Sequence, residues 1–147
     1  MTRRKAAALE PMQSLGYLTR INFRAFSRAL ERLIEPYGIS SGQWRFLRVL
    51  WEEDGLTQKG LSERVGITEA TTAKSIVSLE DAGFITRKAD AGDGRKVRVH
   101  LTAHGRRLKK RVMPLVVQVN EQALAGLSAE EVRITRRVLA QTYRNLS

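Results

Sequence analysis

The sequence predicts a mostly α-helical chain with one small β-hairpin, an α+β fold, on three observations. Between Gly55 and Gly83 two short helix patterns, each opened by a threonine, stand either side of Gly66. After Gly83 the apolar period falls from that of a helix to that of a strand and holds to Leu101. Long apolar-striped helix patterns flank this region over residues 11–37 and 103–147, leaving residues 38–102 as a central unit.

The first helix of the pair begins after Thr57, whose hydroxyl can accept from the free backbone N–H groups of the first turn. Leu61 and Val65 give it a buried side, and Gly66 ends it. Thr68 repeats the capping chemistry and opens a second helix, with Thr72, Ile76 and Leu79 on one face, which stops at Gly83. The opposite face carries Thr71, Lys74, Ser75 and Ser78. These side chains are small or basic, so the helix can approach a DNA groove while hydroxyls and one ammonium reach phosphates and base edges. Thr68, at the cap, is counted with them.

From Ile85 the chain reads Thr86-Arg87-Lys88, then Asp90-Ala91-Gly92-Asp93-Gly94, and returns with Val97, Val99 and Leu101 alternating with Arg98 and His100. This is a hairpin with one apolar face. Its tip offers Arg95 and Lys96 on a loop that glycines allow to bend, a shape suited to placing a guanidinium in a narrow, negative minor groove. Phosphates would repel Asp93, so it is read as orienting Arg95 through a charge-assisted hydrogen bond. Helix, turn, helix and basic hairpin in that order describe a winged helix-turn-helix that lies on duplex DNA.

Residues 39–105 resemble the MarR family of bacterial winged-helix regulators in element order and in several short signatures. These are Gln43-Trp44, the run from Leu79 to Ile85, Asp90-Ala91-Gly92-Asp93-Gly94-Arg95, and Leu101-Thr102-Ala103-His104-Gly105. The resemblance implies a homodimer on a pseudo-palindromic operator, with Arg95 in the minor groove and Thr71, Thr72 and Lys74 at the major groove. It also implies a small aromatic or carboxylated effector. Lys74 stands where many members have arginine, and Gly94 and Lys96 flank Arg95 where many have more arginine. Phosphate contact survives such exchanges, whereas lysine lacks the fork for bidentate readout of guanine.

Composition agrees with a polyanionic partner: 26 Lys and Arg against 15 Asp and Glu give a formal charge of +11 in 147 residues. With no cysteine, disulfides, thiolate metal sites and a cysteine redox switch are excluded. Residues 1–10 read as a disordered basic arm, without the apolar stretch of a secretory leader. The longest apolar run, Val112 to Val117, is too short to span a bilayer, so a cytoplasmic protein is expected.

In the first flank Leu15, Leu18, Phe26, Ala29, Leu30 and Leu33 recur at helical spacing from about Pro11 to Pro36, a rod of roughly 35 Å. Ser40 and Gln43 form a capping-box pattern for a following helix whose Trp44, Phe46, Leu47, Val49, Leu50 and Trp51 make it apolar around most of its circumference. Thr102 caps a long helix with Pro114 inside it, where a kink is expected, and Ser128 with Glu131 caps a last helix carrying Ile134, Val138, Leu139 and Leu146. The flanking stripes either close on a second copy in a two-fold dimer, the favoured reading, or fold back on their own chain. Arg106, Arg107, Lys109, Lys110 and Arg111 at the head of the long helix read mostly as a solvated face, with one or two phosphate contacts.

No Walker loop, dinucleotide fingerprint, zinc-protease or serine-hydrolase motif is present, so no enzyme, catalytic residue or cofactor is expected. His100 and His104 fall on a strand and a helix and share no face, so no metal site is expected. An effector pocket is placed at Tyr17, Phe26, Trp44 and Arg48, with Arg48 either a counter-charge or a solvated residue. A ligand-responsive repressor is the leading reading. An architectural DNA binder without effector and a metal-responsive repressor are the alternatives.

Overall fold

The computed structural model describes residues 9–147, so most of the arm expected over residues 1–10 lies outside the described residues. A 3₁₀ turn at Pro11–Gln13 precedes α1 (Leu15–Ile34). Ser14 has extended backbone and its Oγ accepts from the Tyr17 N–H at 3.2 Å, which starts the helix there rather than at Pro11. At its other end a second 3₁₀ turn, Glu35–Tyr37, tightens the chain around Pro36 before Gly38. The continuous rod is therefore about 30 Å long, shorter than the expected 35 Å, because serine capping and proline geometry remove a turn.

α2 (Ser41–Glu52) opens on the full capping box: Ser40 Oγ accepts from the Gln43 N–H at 3.1 Å, and Gln43 Oε1 accepts from the Ser40 N–H at 3.0 Å. It buries Phe46, Leu47 and Leu50, while Trp44, Val49 and Trp51 are half-buried. Arg45 and Arg48 keep one side at the surface, so α2 is central but not enclosed all round. β1 (Leu56–Thr57), α3 (Gln58–Val65), α4 (Glu69–Asp81), β2 (Ile85–Ala89) and β3 (Val97–Leu101) follow.

The sheet is antiparallel in the order β1-β3-β2. β2 and β3 pair from Ile85 opposite Leu101 to Ala89 opposite Val97, and β1 sets Leu56 opposite Val99. Two residues are too few to show a strand period, which is why β1 has no sequence signal. It exists because β3 would otherwise present an open edge. Ile85, Val99 and Leu101 point from the sheet onto Leu61, Ile76 and Leu79 in one buried cluster with Phe46 and Leu47.

α5 (Ala103–Ala123) runs through Pro114 as one helix and buries Leu108, Val112 and Val119, closing the core against α1. Trp51 Nε1 donates to the Gly105 carbonyl at 2.9 Å, pinning α2 to its first turn. α6 (Ala129–Leu146) carries the second capping box, at Ser128 and Glu131. Unlike every other long helix it has no buried residue among the described ones, and Ile134, Leu139, Tyr143 and Leu146 are exposed. Phe23 and Leu15 on α1 are exposed as well. Among the described residues no helix is long and apolar enough to cross a membrane.

Candidate nucleic-acid interface

α3 and α4 are joined through Gly66, whose left-handed φ of 75° costs an L side chain but not glycine. That conformation lets the N–H groups of Gly66 and Ile67 both donate to the Ser62 carbonyl, at 2.9 and 3.1 Å, and the chain reverses in two residues. Thr68 Oγ1 then accepts from the Thr71 N–H at 3.2 Å and starts α4. Ile76 and Leu79 hold α4 to the core, which turns Thr71, Lys74, Val77 and Ser78 outward and leaves Ser75 half-exposed.

Thr72 requires correction. The family resemblance implies a place at the major groove, but Thr72 is fully buried and its Oγ1 has no hydrogen-bond partner among the described residues. It lies one turn before Ile76 on the same face, so its side chain can only meet the core. Val77, three residues beyond Lys74, takes an outward position that the sequence reading missed because it sought polar contacts. An exposed valine in that place suits the methyl group of thymine. Three hydroxyls of the outward face are engaged locally: Thr68 Oγ1 and Thr71 Oγ1 lie 3.0 Å apart, and Ser75 Oγ donates to the Thr71 carbonyl at 3.1 Å. The Lys74 ammonium makes no ion pair among the described residues.

The hairpin tip is built around two aspartates. Asp90 Oδ2 accepts from the N–H groups of Gly92 and Asp93 at 3.2 and 3.0 Å, and the Asp90 N–H donates to the Lys96 carbonyl at 2.9 Å. Asp93 Oδ1 accepts from the backbone N–H of Arg95 at 3.0 Å, not from its guanidinium. The expected role of Asp93 is therefore corrected: it shapes the loop backbone, because an aspartate two residues earlier reaches a main-chain N–H more readily than the end of a long side chain. Arg95 and Lys96 are exposed and, among the described residues, form no ion pair.

Two further arginines hold the hairpin in place. Arg98 Nε donates to the Asp90 carboxylate, and its Nη1 donates to the Gly55 carbonyl at 2.8 Å, tying the tip to the chain before β1. Arg87 forms a two-pronged pair with Glu80 at 3.1 and 2.8 Å, tying β2 to the last turn of α4. Hydrogen bonds from these guanidiniums hold the Asp90 and Glu80 carboxyls below their ordinary pKa. Alternation along a strand marks such residues as outward-facing, but their acidic partners lie on other elements, so no sequence spacing reveals them.

α3, α4 and the hairpin border one cleft of about 460 Å³, lined by Thr57, Gln58, Lys59, Glu69, Arg95, Lys96 and Val97. Three cations face one carboxylate there, and Lys59 is an addition to the residues singled out from sequence. A second cavity of about 390 Å³ lies between α1, α2 and α5, walled by Phe23, Phe26, Leu30, Ile34, Trp44, Val116 and Val119, with Arg45, Arg48, Glu31 and Asn120 among its polar groups. Phe26, Trp44 and Arg48 meet there; the Arg48 guanidinium lies 5.8 Å from the Trp44 ring centroid. Tyr17 does not line it, contrary to expectation: nine residues from Phe26 on α1 place it about 13 Å up the axis, beside Arg20. His100 lies on β3 and His104 on α5 beside the Phe84 ring. No group of three or more His, Asp and Glu residues that could hold a metal occurs among the described residues.

Comparison with known proteins gives the same architecture. The profile of the MarR family matches residues 39–97. The HTH-type transcriptional repressor Rv2887 of Mycobacterium tuberculosis is 30% identical over 125 residues, 85% of this chain and 90% of its own length. A MarR transcriptional regulator from Methanosarcina mazei superposes with a TM-score of 0.84 at 32% identity, covering 89% of this chain and 94% of that one. The PcaV transcriptional regulator of Streptomyces coelicolor, solved with its natural ligand, gives a TM-score of 0.80 at 26% identity, covering 96% and 99%. By these likenesses in sequence and fold, the chain belongs to the MarR family of DNA-binding transcriptional regulators, which are not enzymes.

Proposed function

We propose that the protein is a homodimeric, sequence-specific repressor of the cytoplasm, released from a pseudo-palindromic operator by a small aromatic or carboxylated effector. The observation that carries this reading is the cleft where the start of α4 meets Arg95 and Lys96: one subunit offers a helix for a major groove and a guanidinium for the adjoining minor groove. Thr71, Lys74, Ser75 and Val77 would face the bases and backbone, with Thr68, Lys59 and Lys96 on phosphates, while the Ser78 hydroxyl is taken up by the Gln43 amide of α2. The architectural alternative predicts nearly equal binding to any duplex. Titrating the region upstream of the gene and a random duplex of equal length at two salt concentrations separates the two. A specificity ratio of at least about a thousandfold supports the repressor. A ratio near one excludes it.

The dimer follows from what α6 leaves uncovered. A helix with an apolar row at Leu139, Tyr143 and Leu146 and no buried residue of its own is not held by its own chain. A second copy would cover that row and set the two recognition helices about 34 Å apart, one turn of duplex. Leu139→Asp should therefore halve the mass seen by light scattering, because a carboxylate at a closed apolar seam is not tolerated. A dimeric variant would move the seam elsewhere. For the effector, the apolar walls beside Arg45 and Arg48 suit a ring bearing an anionic group, and PcaV, a relative solved with its natural ligand, supports a ligand-responsive member.

A further inference from the structure

The first turns of α2 meet both the cavity and the recognition helix, on opposite sides. Ser41, Gly42, Trp44 and Arg45 line the cavity between α1, α2 and α5. Gln43, between them in sequence, is buried on the other side. Its Oε1 accepts from the Ser40 N–H at 3.0 Å, and its Nε2 donates to Ser78 Oγ of α4 at 2.8 Å and lies 3.5 Å from the Ser78 carbonyl. One amide thus closes the N-terminus of α2 and bridges to a residue 35 positions later. Two residues beyond Ser78, Glu80 holds Arg87 of β2.

We propose that Gln43 is the positioning residue through which an occupant of this cavity acts on the recognition helix and the hairpin behind it. The inference rests on the effector reading above. An occupant that pushes on Trp44 and Arg45 displaces the first turns of α2. Gln43 is bonded at both ends, so it either carries Ser78 with it or leaves a buried N–H without a partner. Both outcomes alter the last turns of α4, and through Glu80 and Arg87 the setting of the hairpin. Without the bridge, the ligand still binds but its message no longer reaches DNA.

The test uses the full chain, a duplex selected by the wild type from a random library, and sodium benzoate as the aromatic carboxylate probe. Benzoate binding is read from tryptophan fluorescence and DNA affinity from anisotropy, with and without saturating benzoate. The wild type should bind DNA about tenfold more weakly with benzoate present. Gln43→Met should keep benzoate affinity within about twofold and bring the ratio of the two DNA affinities close to one. Gln43→Glu should restore the ratio, since glutamate preserves the capping box and can accept from the Ser78 hydroxyl, and adding Ser78→Ala should abolish it again. The last pair keeps the α2 cap, so it decides the matter even where Gln43→Met fails to fold. A ratio that persists in Gln43→Glu/Ser78→Ala overturns the relay and leaves the effector reading standing. If benzoate fails to bind the wild type, or binds without weakening DNA, the effector reading falls and the relay with it.

Discussion

Arg95→Ala is expected to weaken operator binding by about 1–3 kcal/mol per subunit, from about fivefold to more than a hundredfold each, with no loss of thermal stability. Arg95 is exposed, has no ion pair among the described residues, and contributes only its backbone N–H to the fold. An alanine keeps that N–H, so the bond to Asp93 survives and the hairpin keeps its shape. What disappears is a cation that DNA binding would place in a narrow minor groove, where the negative potential is strongest. Anisotropy titration together with a thermal melt separates the two effects. Unchanged affinity would remove the hairpin tip from the interface, and a lowered melting temperature would show that Arg95 holds the fold.

Gly105→Ala has the opposite signature. Gly105 sits in the first turn of α5, buried against the end of the hairpin, and an added Cβ would stand 2.1 Å from the Phe84 carbonyl oxygen. That oxygen is fixed, because it accepts from the Thr102 N–H at 3.0 Å, and the Gly105 carbonyl is itself held by Trp51. Backbone on one side and an indole on the other leave no soft direction in which to yield. The methyl group should cost on the order of 3 kcal/mol or more, a fall of roughly 10 °C in melting temperature, despite the higher helix propensity of alanine. Calorimetry of the variant checks it. A melting temperature within a degree or two of the wild type would mean that α5 can move away from Phe84 at little cost.

Much of the fold is legible in the sequence because its signals are local. Ser40 with Gln43, Thr57, Thr68, Thr102 and Ser128 with Glu131 all cap the helices they were expected to cap, since a cap needs only a hydroxyl or amide a few residues from the N–H it serves. Change of period at Gly83 located the hairpin for the same reason. Ser14 stands out less because the third residue after it is Tyr17 rather than Glu or Gln, and Pro11 offers a helix start of its own. Thr72 was misplaced because position on a helix face and chemical suitability for DNA pointed different ways, and packing prevailed.

The sequence by itself determined the order and type of the α-helices and of the hairpin, the basic character of the surface and the arginine at the hairpin tip, all of which depend on residues near one another in the chain. Tertiary structure alone decided that Gln43 reaches Ser78, that Glu80 receives Arg87, that Arg98 spans from Asp90 to Gly55, and that Phe84 leaves no room at Gly105. The physical reason is distance along the chain. Hydrogen bonds and clashes between separate elements exist only once burial of the apolar faces has fixed where those elements lie, and no spacing of residues encodes that placement.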